Sequence, residues 1–292
     1  MRSALLLAFA VLVLALPASA ANPLPMEVTF KNRARFDQLV AQAEPWKALP
    51  LGDRTVTVGR ALCGIPYKGS TLEIDDRIES PSVNFSGLDC WTFFETALAF
   101  SRMLDEPKEK WTPETMLRYI ELDRYRGGEC DGTYLSRLHY LEEWLDDNDR
   151  RGLIKDLTRD LGGVRARHSA VEMTANWKGY RYMRNNPALR VGIRAMENRV
   201  TDLGLHHIPK ARVPAIEEKL RSGDVIGITT HDGGQIGTSH VGLAYRSPEG
   251  VLHFMHASAP RNHGKVVVDS RLSTYLNRFR SNAGIIVGRP VK

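Results

Sequence analysis

The chain has 292 residues, 42% of them hydrophobic, which is enough for one large domain with a substantial core. Its formal net charge is +6, but the basic residues are scattered and accompany no recognised nucleic-acid motif. The charge therefore favours a solvated surface or loose attraction to an anionic polymer such as cell wall. We expect no nucleic-acid partner.

The first twenty residues have the three parts of a secretory signal peptide. Arg2 supplies a positive start, Leu5–Leu16 form an apolar stretch, and a small-residue cleavage site ends at Ala20. The apolar stretch is too short to span a bilayer, so a retained N-terminal anchor is the weaker alternative. We expect a mature chain of residues 21–292, exported to the periplasm or secreted, without a stable membrane anchor.

The N-terminal part predicts helices joined by loops. Apolar residues at helical spacing cover Phe30–Ala43, and a loop with several Gly residues and one Pro spans Ala61–Ser70. The next segment, Thr71–Ser80, has apolar residues placed as in a short strand. Asn84–Leu104 then begins with a tight turn and continues as a long apolar run, which predicts a helix buried on nearly every side.

Cys90 lies at the start of that buried helix, directly after Asp89, a favourable N-cap residue. Unpaired backbone N–H groups and the positive end of the helix dipole favour a thiolate there, so Cys90 is a candidate nucleophile. The alternative is an ordinary buried cysteine that packs as a small hydrophobe. The chain has three cysteines, which leaves open a disulfide between Cys63 and Cys130 with Cys90 as the free thiol.

A mainly helical segment of about residues 105–210 follows the Cys90 helix. A Thr-Pro pair predicts a helix start before Glu114–Leu122. Tyr134–Asp147 has a clear amphipathic stripe, and residues 187–203 have helical spacing again. We therefore expect a helical insertion after the nucleophile helix.

From Lys219 onward the pattern changes to short strands with turn signals. Helices followed by a β-meander predict an α+β fold with a mostly antiparallel sheet. A Gly-rich loop, His231–Ser239, separates the first two strands, and a helix over Leu272–Phe279 separates the last two. The predicted strands are Asp224–Thr229, His240–Tyr245, Val251–Ala257, Lys265–Asp269 and Ile285–Arg289.

The second and third of these strands form a predicted hairpin that brings two histidines together. If Tyr245 pairs with Val251 across a five-residue loop, His240 lies directly opposite His256 on the same face. With Cys90, these residues supply a nucleophile, a base and an orienting group. A zinc site is the weaker alternative, because the sequence contains no H-E-x-x-H or C-x-x-C spacing.

Three segments resemble the successive Cys, His and His motifs of NlpC-type cell-wall cysteine peptidases: LDCWTFFE, SHVGLAY and FMHAS. Three more, GIPYKGSTLE, TYLSRLHYLEEWL and RSGDVIGI, are similar to the N-acetylmuramoyl-L-alanine amidase-like branch. The resemblance covers roughly residues 55–290. It implies a papain-like core, in which the nucleophile helix packs on a mostly antiparallel sheet, within a single domain that carries the helical insertion.

The resemblance also implies a reaction. Cys90 would be the nucleophile, His240 the base and His256 the orienting residue of an amidase that needs no metal or cofactor. Its substrate would be peptidoglycan or its soluble muropeptides, cut between N-acetylmuramic acid and L-alanine. Three alternatives stay open: an endopeptidase that cleaves after D-glutamate in the stem peptide, a non-catalytic wall-binding module on the same fold, and a thiol acyltransferase.

Four further residues are candidate substrate contacts. By resemblance, Tyr67 lies near the nucleophile, and Asp89 precedes it as in many relatives. Tyr134 and Arg137 in the insertion are the other two, with simple packing as the alternative. Lys68 departs from the small or apolar residue expected at its position, which puts the fine specificity of the site in question.

Overall fold

The computed structural model describes residues 24–291, so the predicted signal peptide lies outside the described residues. Helices alternate with loops in the first two thirds of the chain, and long strands dominate the last third. The helices are α1 Met26–Thr29, α2 Arg33–Gln42, α3 Leu51–Ala61, α4 Cys90–Met103, α5 Pro113–Arg124, α6 Leu141–Arg150, α7 Glu172–Ala175, α8 Arg181–Asn185, α9 Leu189–Leu203, α10 Val213–Ile216 and α11 Leu272–Arg278. Within residues 24–291, no helix has the length and apolar character that a membrane crossing requires.

The strands form one large antiparallel sheet and one small parallel pair. The order in the large sheet is β4-β5-β10-β6-β7-β8-β9, and β3 pairs with β10. The pair β1–β2 is separate. This arrangement confirms the predicted α+β organisation. The strands are β1 Phe30–Lys31, β2 Val83–Asn84, β3 Ile154–Asp156, β4 Val164–Arg165, β5 His206–Pro209, β6 Val225–Asp232, β7 Gln235–Arg246, β8 Leu252–Ala257, β9 Val266–Arg271 and β10 Asn282–Pro290.

Helix α4 packs against β7 and β8, and almost its entire length is buried. Successive residues of a strand point to opposite faces of the sheet, so the apolar side chains of β7 and β8 alternate between two cores. Leu243 and Met255 join the core around α4, whereas Ala244 and Phe254 join a second core that includes α11. The site residues at the start of α4 and on β7 and β8 are therefore carried by the most deeply packed part of the molecule.

Two predicted elements differ from the structure. Thr71–Ser80 forms no strand, because the Asp75 carboxylate accepts hydrogen bonds from the backbone N–H groups of Arg77 and Ile78, which fold the chain into a turn. The predicted helix Tyr134–Asp147 is broken into a short 3-10 turn and α6. The backbone is extended at Arg137, whose guanidinium forms a buried ion pair with Glu79.

The segment predicted as a helical insertion also contributes strands. Besides α5 to α9, residues 105–210 contain β3, β4 and β5, and these strands extend the large sheet beyond β10. The three cysteines all lie within residues 24–291, and each is a free thiol. The Sγ atom of Cys63 lies 3.7 Å from the Gly59 carbonyl, whereas that of Cys130 lies 3.6 Å from the Glu79 carbonyl. The suggested disulfide is thus not formed in this structure.

Candidate active site

The start of α4 is determined by a reciprocal cap. The Asp89 carboxylate accepts a hydrogen bond from the Thr92 backbone N–H at 2.8 Å, and the Thr92 hydroxyl accepts one from the Asp89 backbone N–H at 2.9 Å. This capping box satisfies two of the backbone groups that a helix start leaves unpaired. As predicted, Cys90 is consequently the first residue of a rigid helix. The cap explains why an acidic residue, Asp89, directly precedes it.

The Cys90 thiol is protonated in the free site. Burial and, to a smaller extent, the Asp89 carboxylate raise the pKa of Cys90 to about 12. Hydrogen bonds from backbone N–H groups, including that of Val241, lower it but do not compensate. The expectation that the helix start favours a thiolate is therefore wrong for this site, because desolvation outweighs the helix field. The nucleophile has to be generated by proton transfer.

The two histidines lie side by side, although the predicted register of their hairpin is wrong. Tyr245 pairs with His253 instead of Val251, a shift of two residues. Because side chains alternate with a period of two, this shift keeps His240 and His256 on one face. They become diagonal neighbours, and His240 Nε2 lies 2.7 Å from His256 Nδ1.

A β-bulge directly precedes His240. In the β6–β7 ladder Ile228 pairs with His240 and Thr229 pairs with Thr238, so Ser239 has no partner of its own. The Gly-rich segment before it is not the loop that was predicted: β6 and β7 continue to a tight turn at Gly233-Gly234, where φ is 51° and 81°. Bulges beside functional sites re-aim a side chain, and this one sets the direction of His240.

A carboxylate and a guanidinium that the sequence interpretation missed complete a chain of polar groups. His256 Nε2 lies 3.4 Å from Asp269 Oδ2, and Arg278 forms an ion pair with Asp269 at 3.0 Å. Burial raises the pKa of Asp269, but hydrogen bonds from His256, Ser270 and Arg278 outweigh it and hold the pKa well below its usual range. The available signal was an acidic residue within an otherwise apolar strand, VVVDS, next to the histidine hairpin.

These contacts determine the protonation of both imidazoles. A carboxylate only accepts hydrogen bonds, so His256 Nε2 carries a proton and His256 Nδ1 is an acceptor. His240 Nε2 must then donate to His256, which leaves the lone pair of His240 on Nδ1. Burial, together with neighbouring His256, lowers the pKa of His240 to about 3, so this imidazole is neutral.

Two cavities meet at Cys90 and His240. The large cavity, about 520 Å³, extends toward the insertion, and the small cavity, about 260 Å³, extends toward α11 and the loop between β8 and β9. Tyr67 lines the small cavity, and burial, followed by the charges of Cys90 and Asp89, raises its pKa to about 12. Its hydroxyl is thus a hydrogen-bond donor in the cavity that Cys90 also lines.

The other two candidate contacts are in the wall of the large cavity. Arg137 is buried, stacks 4.7 Å from the Tyr134 ring, and lies 3.5 Å from Glu79 and 3.3 Å from the Leu72 carbonyl. Tyr134 stacks in turn on Tyr182. Because their polar groups are occupied internally, these contacts favour a structural role for both residues. Within residues 24–291, no three His, Cys, Asp or Glu side chains are grouped as ligands of a metal ion.

The model of the AmiA-like family, described as N-acetylmuramoyl-L-alanine amidase-like, matches residues 57–285. The chain belongs to this family. It is 30% identical to an N-acetylmuramoyl-L-alanine amidase from Bacteroides uniformis, with a TM-score of 0.73 over 83% of this chain and 99% of that crystal structure. Membership supports an amidase-like function on peptidoglycan.

Two other crystal structures are similar. One, from Bacteroides fragilis and named a "putative xylanase", is 33% identical with a TM-score of 0.69, over 80% of this chain and 99% of its own. A Legionella pneumophila protein is 19% identical with a TM-score of 0.66, over 89% and 94%, and shares the fold. No curated protein sequence matches the chain.

Proposed function

We propose that this protein is a cysteine amidase that hydrolyses the bond between N-acetylmuramic acid and L-alanine in peptidoglycan or its soluble muropeptides. The observation that carries this proposal is the junction of Cys90 and His240 between two cavities, with His240 held by His256. Packing of the Cys90 helix on an antiparallel sheet supports the inference of a papain-like core of the NlpC type. The first twenty residues support action outside the cytoplasm, after cleavage near Ala20.

The reaction begins with a proton transfer from the Cys90 thiol to Nδ1 of His240. Since the free site favours neutral thiol and neutral imidazole, this transfer accompanies attack of sulfur on the amide carbon. The carbonyl π electrons move onto oxygen, where backbone N–H groups at the start of α4, among them that of Cys90, stabilise the oxyanion. His256 and Asp269 stabilise the imidazolium that forms on His240.

The protonated His240 then serves as the general acid. Its low pKa makes the imidazolium a strong proton donor, and the leaving nitrogen of L-alanine takes the proton as the C–N bond breaks and keeps the bonding electrons. The muramyl group remains on Cys90 as a thioester. Water attacks this thioester with His240 again as the base, which releases a muramyl carboxylate and regenerates the thiol.

The direct test is mass spectrometry of digests of purified sacculi and of defined muropeptides. We expect free stem peptides that begin with L-alanine, together with sugars that keep the muramyl carboxylate. Cys90→Ala should abolish both products while circular dichroism and thermal unfolding stay close to wild type. Full activity of Cys90→Ala would refute the mechanism.

The products also separate the alternative functions. Peptides that lack L-alanine and D-glutamate would identify cleavage after D-glutamate, the endopeptidase alternative. Reducing ends released from xylan would support a glycosidase function, for which the name of the Bacteroides fragilis structure provides the reason to test. A wild-type protein that binds sacculi but releases neither product would favour a wall-binding module, and transfer of the muramyl group to an added amine would favour an acyltransferase.

A further inference from the structure

We infer that the two cavities divide the substrate by charge: the small cavity binds the anionic stem peptide through Arg261, and the large cavity binds the uncharged muramyl sugar. This inference rests on the proposed amidase function and adds the orientation of the substrate across Cys90. It follows from the charged groups that line each cavity and from how Arg261 is presented.

The lining of the small cavity suits a carboxylate ligand. Among the described residues that line it, Arg261 is the one with a formal charge, and no Asp or Glu is present. Arg261 forms no ion pair within residues 24–291, and the Asp269 carboxylate, which contacts the lining residue His256, is paired with Arg278. Hydroxyl groups of Tyr67 and Tyr275 add further donors, since burial raises the pKa of each to about 12.

Arg261 is carried on a well-braced loop. The loop follows β8, and the backbone N–H groups of Asn262 and Gly264 both donate to the Ala259 carbonyl, at 2.9 and 3.2 Å. The Tyr67 backbone N–H donates to the Gly264 carbonyl at 2.8 Å, which ties the loop to the segment before the nucleophile. A guanidinium on a preordered loop loses less conformational entropy when it binds a carboxylate.

The large cavity is lined by acidic side chains and, among its described lining residues, has no free guanidinium. Four of its lining residues carry carboxyl groups, and its single guanidinium, on Arg137, is already paired with Glu79. Burial and the nearby Arg137 guanidinium hold the pKa of His139 well below its usual range, so this imidazole adds no positive charge. Aromatic rings and carboxylates together suit the faces and hydroxyl groups of a sugar. The aromatic lining residues are Trp91, Tyr134, Tyr140 and Tyr180, and the carboxyl groups belong to Glu73, Asp89, Glu142 and Glu172.

The two parts of the substrate also differ in charge. The muramyl group is uncharged once its carboxyl is in amide linkage, whereas a stem peptide that continues through D-glutamate carries a free carboxylate. His240 lines both cavities and can therefore donate its proton to a nitrogen that leaves toward the small cavity. The carboxylate of the second residue would then lie on the side of Arg261.

The experiment compares two substrates that differ at one group, N-acetylmuramyl-L-alanyl-D-glutamine, whose α-carboxylate is free, and its α-amide, which carries no carboxylate. We expect the wild-type enzyme to prefer the free carboxylate. Arg261→Ala should lower kcat/KM for that substrate about tenfold, the size of one charge-assisted hydrogen bond, and chiefly through KM. It should leave the amidated substrate unchanged. Arg261→Lys should restore part of the preference.

Arg199→Ala is the matched control, since Arg199 is an exposed arginine of α9 that lines neither cavity. Equal loss on both substrates, or no loss on either, would refute the assignment of Arg261 while leaving the amidase function intact. If Glu172→Gln changes the preference and Arg261→Ala does not, the substrate lies in the opposite orientation. If the wild-type enzyme cleaves neither compound nor larger muropeptides, the proposed function itself fails.

Discussion

Replacing Asp269 with Asn should damage catalysis more than replacing it with Ala, although Asn is the closer match in shape. Asp269 Oδ1 accepts hydrogen bonds from the Ser270 backbone N–H at 2.6 Å and from Arg278 at 3.0 Å. The contacts of Oδ2 are longer, 3.2 Å to Arg278 and 3.3 Å to His263, so the shorter contacts at Oδ1 retain the oxygen of the Asn variant. The amide NH₂ group then faces His256, where the carboxylate oxygen Oδ2 now lies 3.4 Å from Nε2.

The reversed hydrogen bond at His256 also changes the tautomer of His240, the base. With a donor facing it, His256 must accept on Nε2 and carry its proton on Nδ1, so His240 has to accept on Nε2. The lone pair of His240 is then turned away from Cys90, and the base for the thiol is lost. In the serine-protease triad, the corresponding Asp→Asn change produces the wrong tautomer and costs about 10⁴-fold in kcat. Because Asp269 acts on the base through His256 and does not contact it directly, we expect a smaller loss in kcat, of about 10²- to 10³-fold.

Asp269→Ala has a smaller effect because it imposes no tautomer. Of the contacts that reach the base, it removes one long hydrogen bond to a charged group, that of His256, a contribution of about 1.5 kcal/mol, which corresponds to roughly tenfold in kcat. The assay is steady-state release of stem peptide from a defined muropeptide, followed by chromatography and mass spectrometry. Nitrogen-15 NMR of labelled histidines reports the tautomer independently of rate.

A comparison of thermal unfolding checks that both variants keep the fold. The reasoning is refuted if Asp269→Asn is as active as wild type, or if it is milder than Asp269→Ala. It is also refuted if the imidazole tautomers are unchanged in Asp269→Asn while activity is lost, since the loss would then have another cause.

Two further predictions concern the same chain of groups. His240→Ala should reduce kcat more than His256→Ala, because water can partly replace an orienting residue but not the base; an equal or larger loss in His256→Ala would show that the roles are reversed. The pH profile of kcat/KM should be flat from about pH 6 to 9, since burial lowers the pKa of His240 to about 3 and raises that of Cys90 to about 12. The depressed pKa keeps the base unprotonated as the pH falls, so loss of activity should begin well below pH 6. An acid limb near the ordinary imidazole pKa, about 6.5, would contradict this assignment.

Local patterns account for the elements that were predicted well. Helix α4 begins at Cys90 because the Asp89 cap and the apolar run after it are both encoded within a few residues. The predicted helix over residues 187–203 and the strands after residue 220 likewise follow local periodicity. Where a local pattern competed with a distant contact, the contact prevailed: Arg137 leaves the helical path because Glu79, 58 positions away, pairs with it in the core.

The sequence by itself determined which side chains are available and which elements carry them: a cysteine at a capped helix start and two histidines on neighbouring strands. Only the tertiary structure decided how they are connected. The hairpin register, the bulge at Ser239 and the contact of His256 with Asp269 depend on interstrand hydrogen bonds and turn geometry that residue periodicity does not encode. The tertiary structure also determines the protonation of Cys90. Burial is a property of the packed molecule, and it outweighs the favourable field of the helix start.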